Sequence, residues 1–318
     1  MKIYKMKRTE FVSVMGGINI DVKGYPYESL ELRTSNPGTV FYSSGGVARN
    51  IAHNLSKLSI PVKIFGAIGK DTFGEIISKE LEKLGIITKG IKVSNSFKTG
   101  SYLAILNEKR DMYVSISDME ILSDVNEVYI EKCKDDILES KILFLDTNLN
   151  VSVINYALNL VKSKNIQTII NAVSIKKAKK LLHVTENIDF LTMNFIELES
   201  IMGKNLDFYE KDTIKDKLKD TFPNVSNIII TNGELGIYFV DNFKREIAFF
   251  QVDELSETEI VDSNGAGDAF TAGVIYGLYK NESIENCITY GINASRITLK
   301  SLKTVADELS ETLIKNKN

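Results

Sequence analysis

The chain has 318 residues, 43% of them hydrophobic and 25% charged, with a formal net charge of −3. That balance is ordinary for a soluble globular protein and offers no basic surface to nucleic acid. Cys133 and Cys287 sit in no CxxC, and His53 and His183 have no partner at metal-ligand spacing, which argues against a disulfide framework, zinc chemistry and a histidine-based triad.

The start, "MKIYKMKRTEFVSVMGGINID", is basic and then apolar. The apolar part is short, broken by Gly16, Gly17 and Asn19 and followed by Asp21, so a first core strand is expected rather than a signal peptide. No run approaches membrane-spanning length, and the expected location is the cytoplasm. "FVSVMGGI" reads as a strand, "GGVARNIAHNLSKL" as a turn into a helix and "VKIFGAIG" as a strand. "TFGEIISKELEKLG" has helical period, with Phe73, Ile76, Ile77, Leu81 and Leu84 on one face and Gly85 as a stop. "GTVFYSSGG" and "KTGSYLAILNEKRDMYVSISDMEIL" are β-like with no helix between strands; 99–106 and 111–118 flank the turn "NEKRD" as a hairpin. Further on, "KILFLD", "TIINAV", "DFLTMN" and "NIIIT" alternate with helical stretches at 151–163, 174–183, 194–202 and 208–220. Apolar strands alternating with helices predict a buried parallel sheet covered on both faces, with the hairpin as a flap over one end. With no linker or repeat, a single α/β domain over 1–318 is expected, carrying a discontinuous β lid from about 20–44 and 97–122. Ligands of such sheets sit beyond the carboxyl ends of the strands, where "TMNFIE", "TNGELG" and "DSNGAGD" would converge.

Five stretches carry candidate chemistry. In "DSNGAGD", Gly265, Ala266 and Gly267 leave helix-start amides uncovered ahead of Asp268. The stretch suits either a capped turn or a phosphoryl cradle with Asp268 as base; a free aspartate, with a pKa of about 3.9, is ionised at neutral pH. Gly45 and Gly46 allow close backbone approach before a helix whose first turn holds Asn50, for a sugar hydroxyl or a simple cap. Asn19 and Asp21 alternate onto one face at a strand end, as a polyol site or a solvated edge. Asn194 and Glu197 share a helix-start face, where Glu197 could hold Mg²⁺ through water or close a capping box. Thr231, Gly233 and Gly236 follow an apolar strand, to line a nucleotide or to turn a hairpin.

Together these stretches resemble the ribokinase-like (PfkB) family of sugar and nucleoside kinases over about residues 11–310. Gly45 through Asn50, Ala52 and Ser59 to Gly69 fits the N-terminal signature, with Ser59 where glycine is commoner, and Asp262–Ile275 fits the C-terminal one. The resemblance implies a three-layer αβα fold, a mostly parallel central sheet and a small β lid that often forms a homodimer contact. It implies ATP and Mg²⁺, with a monovalent cation such as K⁺ in some members. It casts Asp268 as catalytic base, Gly265–Gly267 as anion hole, and Asn19, Asp21, Gly45, Gly46 and Asn50 as sugar contacts. Asn194 and Glu197 become the phosphate and Mg²⁺ motif; Thr231, Gly233 and Gly236 become the nucleotide loop, and Asn293 an adenine-side residue. Within the family, the lid hairpin, "LDTNL", "NAVSIKKAKKL" and "KTVADELS" resemble the pseudouridine-kinase branch. That branch implies Asp146 and Asn148 facing the substrate and Lys177 at the base, unless Lys177 is a solvated lysine in a run with Lys176, Lys179 and Lys180. Asn171 and Ala172 replace an expected Asp-Pro, and Asp307 stands where proline is commoner. The expected reaction is ATP-dependent phosphorylation of the 5′-hydroxyl of pseudouridine; ribose, another sugar, an N-linked nucleoside and a non-catalytic sugar-binding regulator are the alternatives. No first-turn G-x-G-x-x-G supports a nicotinamide dehydrogenase.

Overall fold

A computed structural model describes residues 10–108, 111–256 and 258–316; the basic N-terminal segment and residues 109–110 of the hairpin turn lie outside them. Its strands in chain order are β1 (Val12–Met15), β2 (Asn19–Pro26), β3 (Gly38–Gly45), β4 (Val62–Gly69), β5 (Ile91–Ser94), β6 (Gly100–Leu106), β7 (Met112–Asp118), β8 (Ile142–Asp146), β9 (Gln167–Asn171), β10 (Ile188–Asn194), β11 (Val225–Thr231), β12 (Ile237–Asp241) and β13 (Glu246–Phe250). The helices are α1 (Val47–Lys57), α2 (Thr72–Lys83), α3 (Glu127–Leu138), α4 (Val151–Val161), α5 (Ile175–Ala178), α6 (Phe195–Met202), α7 (Lys211–Thr221), α8 (Ala266–Tyr279), α9 (Ile284–Leu299) and α10 (Glu311–Lys315).

Nine strands form the central sheet in the order β13-β12-β11-β10-β9-β8-β1-β4-β5. It is parallel from β5 to β11, and only β12 and β13 run antiparallel at one edge. The apolar strands are explained by burial on both faces. Met15, Leu143 and Leu145 pack toward Ile130, Ile154 and Leu198 of α3, α4 and α6. The alternate residues Val12, Val14, Ile142 and Phe144 pack toward Ile51, Ile77, Val274 and Ile288 of α1, α2, α8 and α9. The resulting three layers, αβα, are the architecture expected. No helix among the described residues is long and apolar enough to cross a membrane.

A second sheet, β3-β2-β6-β7, is made of two antiparallel pairs joined by parallel β2 and β6. Every residue of β7 is exposed, as a projecting flap requires. "FVSVMGGI" is not one strand: β1 ends at Met15, and after Gly16–Ile18 the chain enters β2 of the other sheet. In α2 the buried stripe is Gly74, Ile77 and Leu81; Ile76 is 48% exposed, because one residue of helical rotation carries it off that stripe. The helix expected over 174–183 is α5 followed by a 3₁₀ turn at Lys179–His183.

Asp71 links the layers. It caps α2 by accepting from the Gly74 amide (2.9 Å), and it accepts from the Thr99 amide (2.7 Å) and hydroxyl (2.6 Å) where the chain enters β6. Asp71→Ala should therefore lower unfolding stability by about 2–3 kcal/mol, a lost cap plus lost charged hydrogen bonds. Urea denaturation measures this, and a loss below about 0.5 kcal/mol would show that the link carries no weight.

Candidate active site

Strand ends supply the first cluster. Asp146, at the carboxyl end of β8, is fully buried and accepts from the Gly17 amide (2.8 Å) and the Asn148 amide (2.9 Å). A Cβ on Gly16 would lie 2.2 Å from the Asp146 carboxylate, so that glycine is needed for the close approach. Lys177 of α5 donates to Asn148 Oδ1 (2.5 Å). Burial pushes the Asp146 carboxyl up, against the Gly17 and Asn148 hydrogen bonds and the Lys177 charge. Burial likewise pushes Lys177 down, against Asp146. Lys177 is thus not a solvated lysine. Lys180 donates to the carbonyls of Thr147, Asn148 and Leu149, while Lys176 and Lys179 are exposed.

The root of the small sheet supplies the second cluster. Asn19 donates to Asp21 (2.7 Å), so the two share one face of β2. A Cβ on Gly45 would sit 2.4 Å from the Asp21 carboxyl carbon, so the glycine leaves room for that side chain. Lys23, two residues further along the same face, reaches Asp262 (3.3 Å) in the loop before α8. Asp262 also accepts from the Asn264 amide (2.9 Å). β2 is thereby tied to the loop that opens α8.

That loop turns on Gly265, with φ 84°, where a Cβ would lie 2.1 Å from the Thr304 carbonyl oxygen. No side chain caps α8. The Ala266 amide reaches the Ser263 carbonyl at only 3.4 Å, and the amides of Gly267 and Asp268 have no backbone partner among the described residues. A Cβ on Gly267 would meet nothing within 4 Å, so packing does not require that glycine. An open-faced helix start with free amides suits an anion. Beside it, Asp268 accepts from the Asn50 amide group (2.7 Å). Asp268 keeps some solvent exposure, but burial of its carboxyl raises the pKa to about 7; Asn50 and Arg49 oppose the rise, while Asp146 and Asp21 add to it. The sequence expectation of a simply ionised aspartate is corrected: near neutral pH this carboxyl is poised between its two states.

Residues 9–311 match the model of the pfkB family of carbohydrate kinases. The chain belongs to that family. It is similar to pseudouridine kinase of Escherichia coli (strain K12), with 28% identity over 269 residues, 85% of this chain and 84% of that protein. It is similar to guanosine-inosine kinase of Exiguobacterium acetylicum, with 22% identity over 91% of this chain and 94% of that one. In fold it matches the structure of Arabidopsis thaliana ribokinase complexed with ribose and ATP, with TM-score 0.85, 19% identity and coverage of 97% of this chain and all of that one. The protein is a sugar or nucleoside kinase, a phosphotransferase acting on a hydroxyl group, of a family that uses ATP with Mg²⁺.

Asn194, Glu197, Thr231, Gly233 and Gly236 of this pfkB kinase lie at the carboxyl ends of β10 and β11, along the same edge. Asn194 is paired with Thr231 across β10 and β11. Asn194 and Glu197 form a capping box, with 2.8 Å and 2.9 Å hydrogen bonds. The Glu197 carboxyl is buried, which raises its pKa against the Asn194 amide. No group of three acidic, histidine or cysteine side chains among the described residues could hold a metal alone. A single carboxylate fits Mg²⁺ held largely by water and phosphate. Thr231 ends β11, and Gly233 (φ 53°) and Gly236 (φ 116°) shape the turn into antiparallel β12. Asn293 of α9 donates to the carbonyls of Ile314 (2.8 Å) and Asn316 (3.2 Å), tying α9 to the C-terminal segment. A cavity of about 450 Å³ lined by Lys141, Gln167 and Asp189 opens at the amino ends of β8–β10, the other end of the sheet from these residues.

Sequence reasoning missed Lys23 and Arg49, and took Asn171 only as a departure from the family pattern. Lys23 was signalled by the two-residue period of Asn19 and Asp21. Asn171 donates to Thr192 (3.1 Å) and to Thr271 of α8 (3.3 Å), connecting the sheet to the helix that carries Asp268. Only the three-dimensional structure shows that link. Substitution should separate the two glycines of α8. Gly265→Ala should cost at least about 2 kcal/mol, through a left-handed backbone and a carbonyl clash. Gly267→Ala should leave the melting temperature nearly unchanged; thermal melts distinguish them, and equal losses would contradict the open space above Gly267.

Proposed function

We propose that this kinase phosphorylates the 5′-hydroxyl of pseudouridine, with Asp268 as the base. The observation that carries the proposal is the Asp268 carboxyl, held at 2.7 Å by Asn50 beside the uncapped start of α8. Asn19, Asp21 and Asn50 hold the ribose hydroxyls, with Gly45 and Gly46 bringing backbone close. Asp268 accepts the proton of the attacking hydroxyl, and the amides of 265–267 face the negative charge of the transferring phosphoryl group. Glu197, with Asn194 beside it, would hold Mg²⁺. Thr231, Gly233 and Gly236 line the nucleotide, and Asn293 stands on its adenine side. When bound, Mg²⁺ neutralises phosphate charge. A monovalent cation such as K⁺ would sit near the anion hole. The small sheet acts as a lid that excludes water, and it is the expected homodimer contact.

The choice of pseudouridine is supported by the likeness to the Escherichia coli enzyme and by the Asp146–Asn148–Lys177 cluster. A uracil ring presents carbonyl acceptors and ring N–H donors, and this half-buried cluster offers a cation, an amide and a carboxylate. Initial rates on pseudouridine, uridine, inosine and ribose with ATP test the substrate. Pseudouridine should give the highest kcat/KM, and Lys177→Met should raise its KM about tenfold or more while changing that for ribose little, since one charged hydrogen bond is lost. A preference for ribose or inosine would assign this kinase to another substrate of the family.

Asp268→Asn should leave acceptor binding largely intact and lower kcat at least about a hundredfold. The wild-type kcat/KM should fall on the acid side with an apparent pKa near the value of about 7 for Asp268. The sign follows from the role: the ionised form is the base, so activity is lost as pH drops below that value. For stability the sign is opposite, because the folded state holds this proton more tightly than the unfolded chain and loses the benefit as pH rises toward 7. Near-normal turnover in Asp268→Asn would remove the residue from the chemistry.

A further inference from the structure

Arg49 stands next to Asn50 in α1 and is only 3% exposed. Its guanidinium donates to the Ser44 carbonyl and meets His53 Nδ1 at 3.0 Å, and its Nε has no partner. The carboxylate of Glu80 in α2 stands 4.0 Å away, at the limit of an ion pair, and is itself bonded by the Ser44 hydroxyl. Burial of a guanidinium without a close counter-ion is strongly unfavourable. Such a group persists where other negative charge shares its low-dielectric surroundings. Besides Glu80, the acids acting on Arg49 are Asp21 and Asp268. His53 adds no charge, since burial and the charges of Arg49 and Lys57 push it down to about 3, leaving a neutral ring that accepts from Arg49.

We propose that Arg49 is a positioning residue, which pins Ser44 at the root of the lid and supplies the buried positive charge against which Asp21 and Asp268 are held. Ser44 pairs with Ile20 in the β2–β3 register and precedes Gly45, the glycine that makes room for the Asp21 carboxylate. Movement of Ser44 therefore moves the polyol subsite. Asn50 of α1 is hydrogen-bonded to Asp268, and the charges acting on it are those of Arg49 from α1, Asp146 from β8 and Asp21 from β2. Without Arg49, two acids and one amide remain around it.

The inference rests on Asp268 being the base. It is tested by pH profiles of kcat/KM with pseudouridine, or with ribose if the panel selects ribose, together with thermal melts. In Arg49→Met the acid limb should rise by about one unit from the value of about 7. Activity should then fall about fivefold at pH 7 and recover by about pH 9. Arg49→Lys should keep the wild-type limb. Glu80→Leu removes the acceptor of the Ser44 hydroxyl together with a negative charge, so it loosens Ser44 while its limb should stay in place or fall. A purely structural clamp would move Arg49→Met and Glu80→Leu in the same direction, and an unmoved limb in folded Arg49→Met would overturn the inference. If Arg49→Met does not fold, Glu80→Leu and Arg49→Lys decide, and an upward shift in either refutes it. If the wild type shows no acid limb and Asp268→Asn is active, the base assignment fails, and this inference falls with it.

Discussion

The hydrogen bond from Asn50 to Asp268 joins side chains 218 residues apart in sequence, and the site depends on it. It requires α1 and α8 to lie side by side on one face of the central sheet. Packing of Ile51, Ala52 and Leu55 with Ala269, Ala272 and Val274 in one apolar cluster meets that requirement. The bond also limits the carboxyl chemically. It favours the ionised form, while burial and the charges of Asp146 and Asp21 favour the protonated one. The balance places the group near neutrality, where a base can both take and release a proton.

Close backbone approach is the second constraint. Gly16, Gly45 and Gly265 each occupy a point where a Cβ would strike a carboxylate or a carbonyl. These three are structural glycines, fixed by what the fold places against them. Gly267 differs, because nothing of the protein fills the space its side chain would take. A helix start is where alanine would serve the fold better than glycine. Keeping glycine there has a physical reason if a ligand comes close to the backbone, as an anion bound by uncovered amides would.

Much of this was legible in the sequence. Strand runs such as "KILFLD" are apolar along their whole length because both faces are covered, and the lid hairpin showed itself by lacking a helix between strands. Asn19 and Asp21 share the face that their spacing predicted, α8 starts uncapped after Gly265, and the fold brings Asp146, Asn148 and Lys177 together. The misses have local causes. Ile76 has the right period for the core but falls just off the stripe through Ile77 and Leu81. The run "FVSVMGGI" hides a change of sheet, which becomes visible only when Gly16 is seen against Asp146. Arg49 was passed over, since no sequence pattern shows that Ser44, Glu80 and His53 close around it. The ionisation of Asp268 was misjudged for the same reason: a pKa belongs to the surroundings of a group, and those come from distant segments.

The reaction is easier to read than the substrate, and the energetics explain the difference. The proposed phosphoryl-side elements are backbone amides, glycines and a base within one short segment, so local sequence carries them. The proposed base-side cluster brings together Asp146 at a strand end, Asn148 in the following loop and Lys177 in a four-residue helix. Burial weakens the charged forms of both Asp146 and Lys177, and each partly restores the other. A buried pair of this kind adds little net stability against an apolar substitute. Its worth lies in discrimination, since a ligand lacking matching polar groups would leave the pair desolvated and unanswered. On this proposal, segments that meet only in the fold hold the specificity, while the amides and the base come from one contiguous segment.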